Sequence, residues 1–228
     1  MCFSPESSFA VAAVLIPVGG WCLWKARRQA SEWMLLAAFP LAFAVQQLIE
    51  GFVWIAIDAG NADGTLNAGR GFLFFSHFFW PAYAPLAVMC SEPDPDRRRV
   101  IGFMAVIGAV FGASIMVPAV LFPGWLEVGV TDGSIDYRTR LVYDGVVGRD
   151  ALKVIYAAII LSAFFVSTRS GLRLYGMAIL ASVIFAAVFY PGVFISVWCF
   201  FAAILSLCVV LVLMGETGRN PTSPPVQQ

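Results

Sequence analysis

The side chains able to do chemistry in this chain are few, and apolar sequence surrounds them. Glu50 stands within AVQQLIEGFVW, where Gln47, Glu50 and Trp54 follow i, i+3, i+7 spacing and so share one face of a helix, with Gln46 beside them. An ionisable group in hydrocarbon is costly unless it is paired or faces a cavity, which makes each one a candidate for function. The lone histidine, His77, lies with Trp80 in SHFFWPAY; Lys153 and Tyr156 lie in ALKVIY, and Ser196, Trp198 and Cys199 in ISVWC. At 1.5 Å rise per residue, Glu50 and His77 both fall roughly 10 Å from the same end of two antiparallel spans. The expectation is a pocket lined by Gln47, Glu50, His77, Trp80, Tyr156 and Trp198, with Lys153 at its mouth. A carboxylate there suits ligand binding or proton coupling. With His77 it also forms an acid/base pair, for which Ser4, Ser196 or Cys199 are conceivable nucleophiles. Plainer roles exist for the same residues. Glu50 is then polar glue between helices, Lys153 a cation snorkelling to the headgroups, and Trp125, Tyr143 and Tyr190 part of an interfacial belt.

The elements that must hold these residues follow from composition. The 228 residues are 60% hydrophobic and 12% charged, against roughly 45–50% and about 25% in a soluble domain. A water-facing surface cannot be built from that. Uncharged apolar runs predict an all-α, seven-helix transmembrane bundle, with spans at 7–26, 33–57, 71–91, 99–121, 151–168, 172–190 and 193–214. Residues 1–219 are expected to form one transmembrane domain, followed by a disordered cytoplasmic tail at 220–228. Ser4-Pro5 reads as a helix start, and interior prolines such as Pro17, Pro40, Pro81, Pro85 and Pro118 predict kinks. No basic n-region precedes the first run, so it is expected to be a retained span.

Loop charge gives direction. Lys25, Arg27 and Arg28, then Arg97, Arg98 and Arg99, then Arg169 and Arg173 follow spans one, three and five, while Asp58, Asp63, Glu127, Asp132, Asp136, Asp144 and Asp150 fall in the alternate loops. Lys and Arg accumulate on the cytoplasmic side, which sets the N-terminus outside and Arg219 inside. The long outer loop, 122–150, alternates apolar and polar residues around Asp132-Gly133 and predicts a β-hairpin before span five, able to act as a lid.

Several classes are excluded or disfavoured. Zero net charge without a basic stripe argues against nucleic acid. The five cysteines have no CxxC pair, one histidine cannot build a metal cluster, and neither GxSxG nor a Gly-rich phosphate loop occurs, so no metal or cofactor is expected. The opening MCFSPESSF, QQLIEGFVW in the second span and ISVWCFFAA in the last together resemble a family of bacterial multi-spanning proteins of unassigned function. The resemblance implies a multi-pass protein of the bacterial inner membrane, raises interest in Cys2 and Ser4, and brings no reaction or substrate with it. Three functions stay open: binding or translocation of a small molecule or proton, an enzyme acting on a lipid or lipophilic substrate, and a non-catalytic accessory subunit of a membrane complex. The expected partners are membrane lipids and a small or lipophilic ligand.

Overall fold

A computed structural model of the chain describes residues 4–29 and 31–217; Cys2 and the expected disordered tail lie outside them. Seven helices and one two-stranded sheet occur among the described residues. In chain order they are α1 (Pro5–Gln29), α2 (Ser31–Asp58), α3 (Ala62–Ser91), α4 (Pro95–Leu121), β1 (Leu126–Thr131), β2 (Ser134–Thr139), α5 (Arg149–Val166), α6 (Ser170–Phe189) and α7 (Pro191–Gly215). Six of the helices are long and apolar enough to cross a membrane. The exception, α5, has 18 residues and carries Arg149, Asp150 and Lys153 in its first turns.

Two helices start earlier than hydropathy implied, because a cap and not an apolar run sets the start. Asn61 Oδ1 accepts from Gly64 N (2.9 Å), so α3 begins at Ala62 instead of near 71. Asp94 Oδ1 accepts from the amides of Asp96 and Arg97 (3.0 and 2.9 Å), with Pro95 in the first turn, so Arg97, Arg98 and Arg99 belong to α4 and not to a loop before it. Ser4 Oγ accepts from Ser7 N (3.4 Å) at the start of α1.

The prolines of α3 act in a way their positions alone did not reveal. A proline has no N–H for the carbonyl four residues back and crowds it. Pro81 does this to His77 O, and Pro85 to Pro81 O. A π-turn over Phe74–Phe79 lies directly before Pro81. Gly108 and Gly112, one turn apart on α4, lie against those same carbonyls: a Cβ added at Gly108 would sit 1.9 Å from Pro81 O, and one at Gly112 2.7 Å from His77 O. Small residues at this spacing are what lets two membrane helices bring their backbones together.

The hairpin pairs Thr131 with Ser134 through Leu126 with Thr139. Asp132 and Gly133 take positive φ (51° and 71°), as a two-residue type I′ turn requires. Its buried face, with Leu126, Ile135 and Tyr137, packs on Val53, Trp54, Phe72 and Leu73, and the Tyr137 ring stacks on Phe72 at 4.5 Å. The strands end at Leu126 and Thr139, one further bond runs from Arg140 N to Trp125 O (2.8 Å), and turns follow up to 148. Tyr143, expected at a lipid interface, anchors these turns through a 2.6 Å bond with Ser114 Oγ and a stack on Phe111.

Candidate functional site

Glu50 lies inside the bundle with no exposed surface, as do Gln46 and Gln47. Its two oxygens are used separately. Oε2 accepts from Gln47 Nε2 (2.9 Å) one turn back on α2, and Oε1 accepts from Ser196 Oγ (2.6 Å) on α7. Gln46 points the other way round the helix, where its Oε1 accepts from Trp80 Nε1 (2.7 Å) on α3. Trp80 is fixed in turn by stacking on Phe43 at 3.9 Å. The segment QQLIE therefore joins three helices, α2 to α3 through Gln46 and α2 to α7 through Glu50. Three polar atoms around this hub are buried and without a partner among the described residues: Gln47 Oε1, Trp54 Nε1 and Ser8 Oγ.

His77 does not hydrogen-bond to Glu50; its Nδ1 pairs with the neighbouring Ser76 Oγ at 2.9 Å. The π-turn that carries both also presents Ser76 O, which accepts from Tyr156 OH on α5. His77 and Tyr156 border a chamber of about 110 Å³ with Lys153, Trp198 and Cys199, beneath Thr139 and Leu141 at the end of the hairpin. Tyr156, Trp198 and Cys199 border a second, apolar recess of about 40 Å³ as well, and Trp80 and Phe43 form its far wall. Tyr156 and Trp198 meet edge to face, with centroids 5.3 Å apart. The Trp198 indole N–H is buried and has no partner among the described residues. On the outer side the chamber shares Thr139, Arg149, Lys153, Phe194 and Ile195 with an open groove of about 320 Å³ between β2 and the starts of α5 and α7.

The seven residues expected to line one pocket thus divide. His77, Lys153, Tyr156 and Trp198 border the chamber, Trp80 the recess, while Gln47 and Glu50 form the hydrogen-bonded hub that holds the α7 turn of Ser196 to Cys199 against α2. Lys153 sits at the mouth, paired with Asp150 at 3.1 Å and 5.6 Å above the Phe194 ring. Among the described residues, no three His, Cys, Asp or Glu side chains gather as a metal site would need.

A second buried carboxylate was not legible as such. Glu92, only 2% exposed, lies at the opposite end of the bundle, just past α3. Its oxygens accept from Ser167 Oγ (2.6 Å), Thr168 Oγ1 (2.6 Å), Thr168 N (2.9 Å) and Asp94 N (3.2 Å). Burial works to raise its pKa, but these four donors outweigh burial and hold it below the usual 4.5. Arginines surround the knot: Arg97 donates to Val166 O (2.7 Å), Arg173 to Ser167 O and Thr168 O (3.1 Å each), and Arg169 lies over Trp33.

Together these features define a multi-pass helical membrane protein with a polar hub inside the bundle and a largely apolar chamber beside it. The chain belongs to DUF6629, a family of unknown function whose model matches residues 1–227. No curated protein and no solved structure matches it.

Proposed function

We propose that this is a seven-span protein of the bacterial inner membrane, N-terminus outside, that binds a small lipophilic molecule in the chamber below the hairpin. The observation that carries the reading is a pair of neighbouring cavities that share Tyr156, Trp198 and Cys199 in their walls, largely apolar in lining, with one buried indole N–H that has no partner among the described residues. A cavity of about 150 Å³ lined by aliphatic and aromatic groups holds benzene, so a chamber of about 110 Å³ suits a small body or a short chain. A buried donor without an acceptor costs on the order of 1–3 kcal/mol, which a ligand oxygen at Trp198 would recover. Glu50 serves as the support of the wall in this reading. Its oxygens face Ser196 and Gln47 and not the chamber, which favours binding over translocation of a proton.

The test uses the full chain in lipid nanodiscs and decanol brominated at its far end, a heavy-atom quencher of tryptophan. Saturable quenching is expected in the wild type and should weaken in Trp198→Phe, the remainder coming from Trp80 on the recess. It should disappear in Ile115→Phe, which fills the chamber while folded yield is retained. Quenching that is unsaturable and identical in all three proteins would end the reading. An enzyme acting on a lipophilic substrate is the second reading, favoured by His77 and Cys199 bordering one chamber. It requires that Cys199→Ala still bind the ligand and leave it unchanged chemically, where the wild type converts it.

A further inference from the structure

Among the described residues, the titratable side chains bordering the inner chamber are His77, Arg149, Lys153, Tyr156 and Cys199, with no carboxylate among them. Arg149 and Lys153 also border the outer groove, so both cations stand between the two spaces. The groove adds Arg138 and one acid, Asp136, which are spent on each other at 2.7 Å. The acids paired with the two inner cations border neither space. Lys153 meets Asp150, whose side chain is 95% exposed, while Lys153 itself is 34% exposed; Arg149 meets Asp144 at 2.7 Å. Exposed pairs of this kind contribute little, so a ligand charge can replace Asp150 at small cost. Below the cations the walls become aromatic and end in the apolar recess.

Building on the chamber reading, we infer that the ligand is a single-chain anionic amphiphile. Its carboxylate or phosphate head lies between Lys153 and Arg149, and its apolar chain runs past Trp198 toward Trp80. The Phe194 ring, 5.6 Å from the Lys153 ammonium, floors the head position and keeps that cation at the junction. An oxygen of the head cannot reach both the cations and the deeper Trp198, so the N–H selects chains that carry an acceptor partway down, such as a hydroxyl or keto group.

The experiment measures tryptophan quenching in zwitterionic nanodiscs with three end-brominated probes of equal chain length: decanoate, decyl phosphate and decanol. Lys153→Gln is the variant, since Arg149 also holds Thr139 O and its loss would disturb the hairpin. One charge-assisted bond corresponds to about a tenfold change in Kd or more. At least one anion should therefore bind about tenfold tighter than decanol, and Lys153→Gln should remove that advantage without changing decanol. Which anion gains it distinguishes a carboxylate ligand from a phosphate one. Equal binding of all three probes, each lost in Ile115→Phe, would overturn the anionic assignment and leave the chamber reading standing. Failure of every probe to quench saturably would overturn both.

Discussion

Glu50 has two donors and each has a different structural job, so substitutions there separate shape from charge. In Glu50→Gln the amide oxygen still accepts from Gln47, and the Ser196 hydroxyl can turn to accept from the new NH₂; folded yield and thermal midpoint in detergent should stay close to wild type. Glu50→Leu removes the acceptor of the Ser196 hydroxyl and strands the Gln47 amide, the latter at about 1–3 kcal/mol, and should lower the midpoint clearly. Equal midpoints for the two variants would contradict the hub. At the other end of the bundle Glu92 gives a pH test. Its folded pKa is depressed, so its contribution is fully present above the unfolded value of 4.5 and is lost as pH falls through the lower folded value. Glu92→Gln should lose stability at neutral pH, and the gap to wild type should close in acid. A gap that persists at low pH would show that the four donors do not stabilise the charge. Glu50 was legible from sequence because a carboxylate in the middle of a span is conspicuous. Glu92 was not, since EPDPD reads as an ordinary acidic connector and its partners Ser167 and Thr168 are 75 and 76 residues away.

Among the elements, the α3–α4 contact decides where His77 stands. Gly108 and Gly112 press on the carbonyls left without donors by Pro85 and Pro81, and the π-turn carrying Ser76 and His77 sits at that contact. Gly108→Ala would drive a methyl group into Pro81 O and force the helices apart, a change in the range of about 1–3 kcal/mol for overpacking or more. Gly20→Ala in α1, where a Cβ meets nothing, is the control and should be neutral or slightly stabilising. Similar losses in the two variants would remove the close contact from the account. The sequence announced the kinks but not their consequence, because the match of two prolines to two glycines exists only between helices. The hairpin was legible in full detail at its turn, where Asp132-Gly133 and alternation act locally. Its packing on Phe72 through Tyr137 depends on tertiary contact and was not.

At the scale of the whole molecule, charge separates the two ends. Lys25, Arg27, Arg28, Arg97, Arg98, Arg99, Arg169 and Arg173 belong to the end that holds Glu92, and the acidic hairpin and its turns to the other. The proposed orientation puts the basic end in the cytoplasm, so reporters fused after Arg28, Arg99 or Arg173 should be cytoplasmic and one near Asp132 external. Any two of these reversed would invert the topology and turn the chamber mouth toward the cytoplasm. The central claim is that the space around His77, Tyr156 and Trp198 holds a ligand, and a cryo-electron microscopy map of the protein purified with its native lipids examines it most directly. The account predicts elongated density entering beside Lys153 and continuing past Trp198 toward Trp80. A well-resolved map in which that space is empty, or closed by the side chains that border it, would contradict the account.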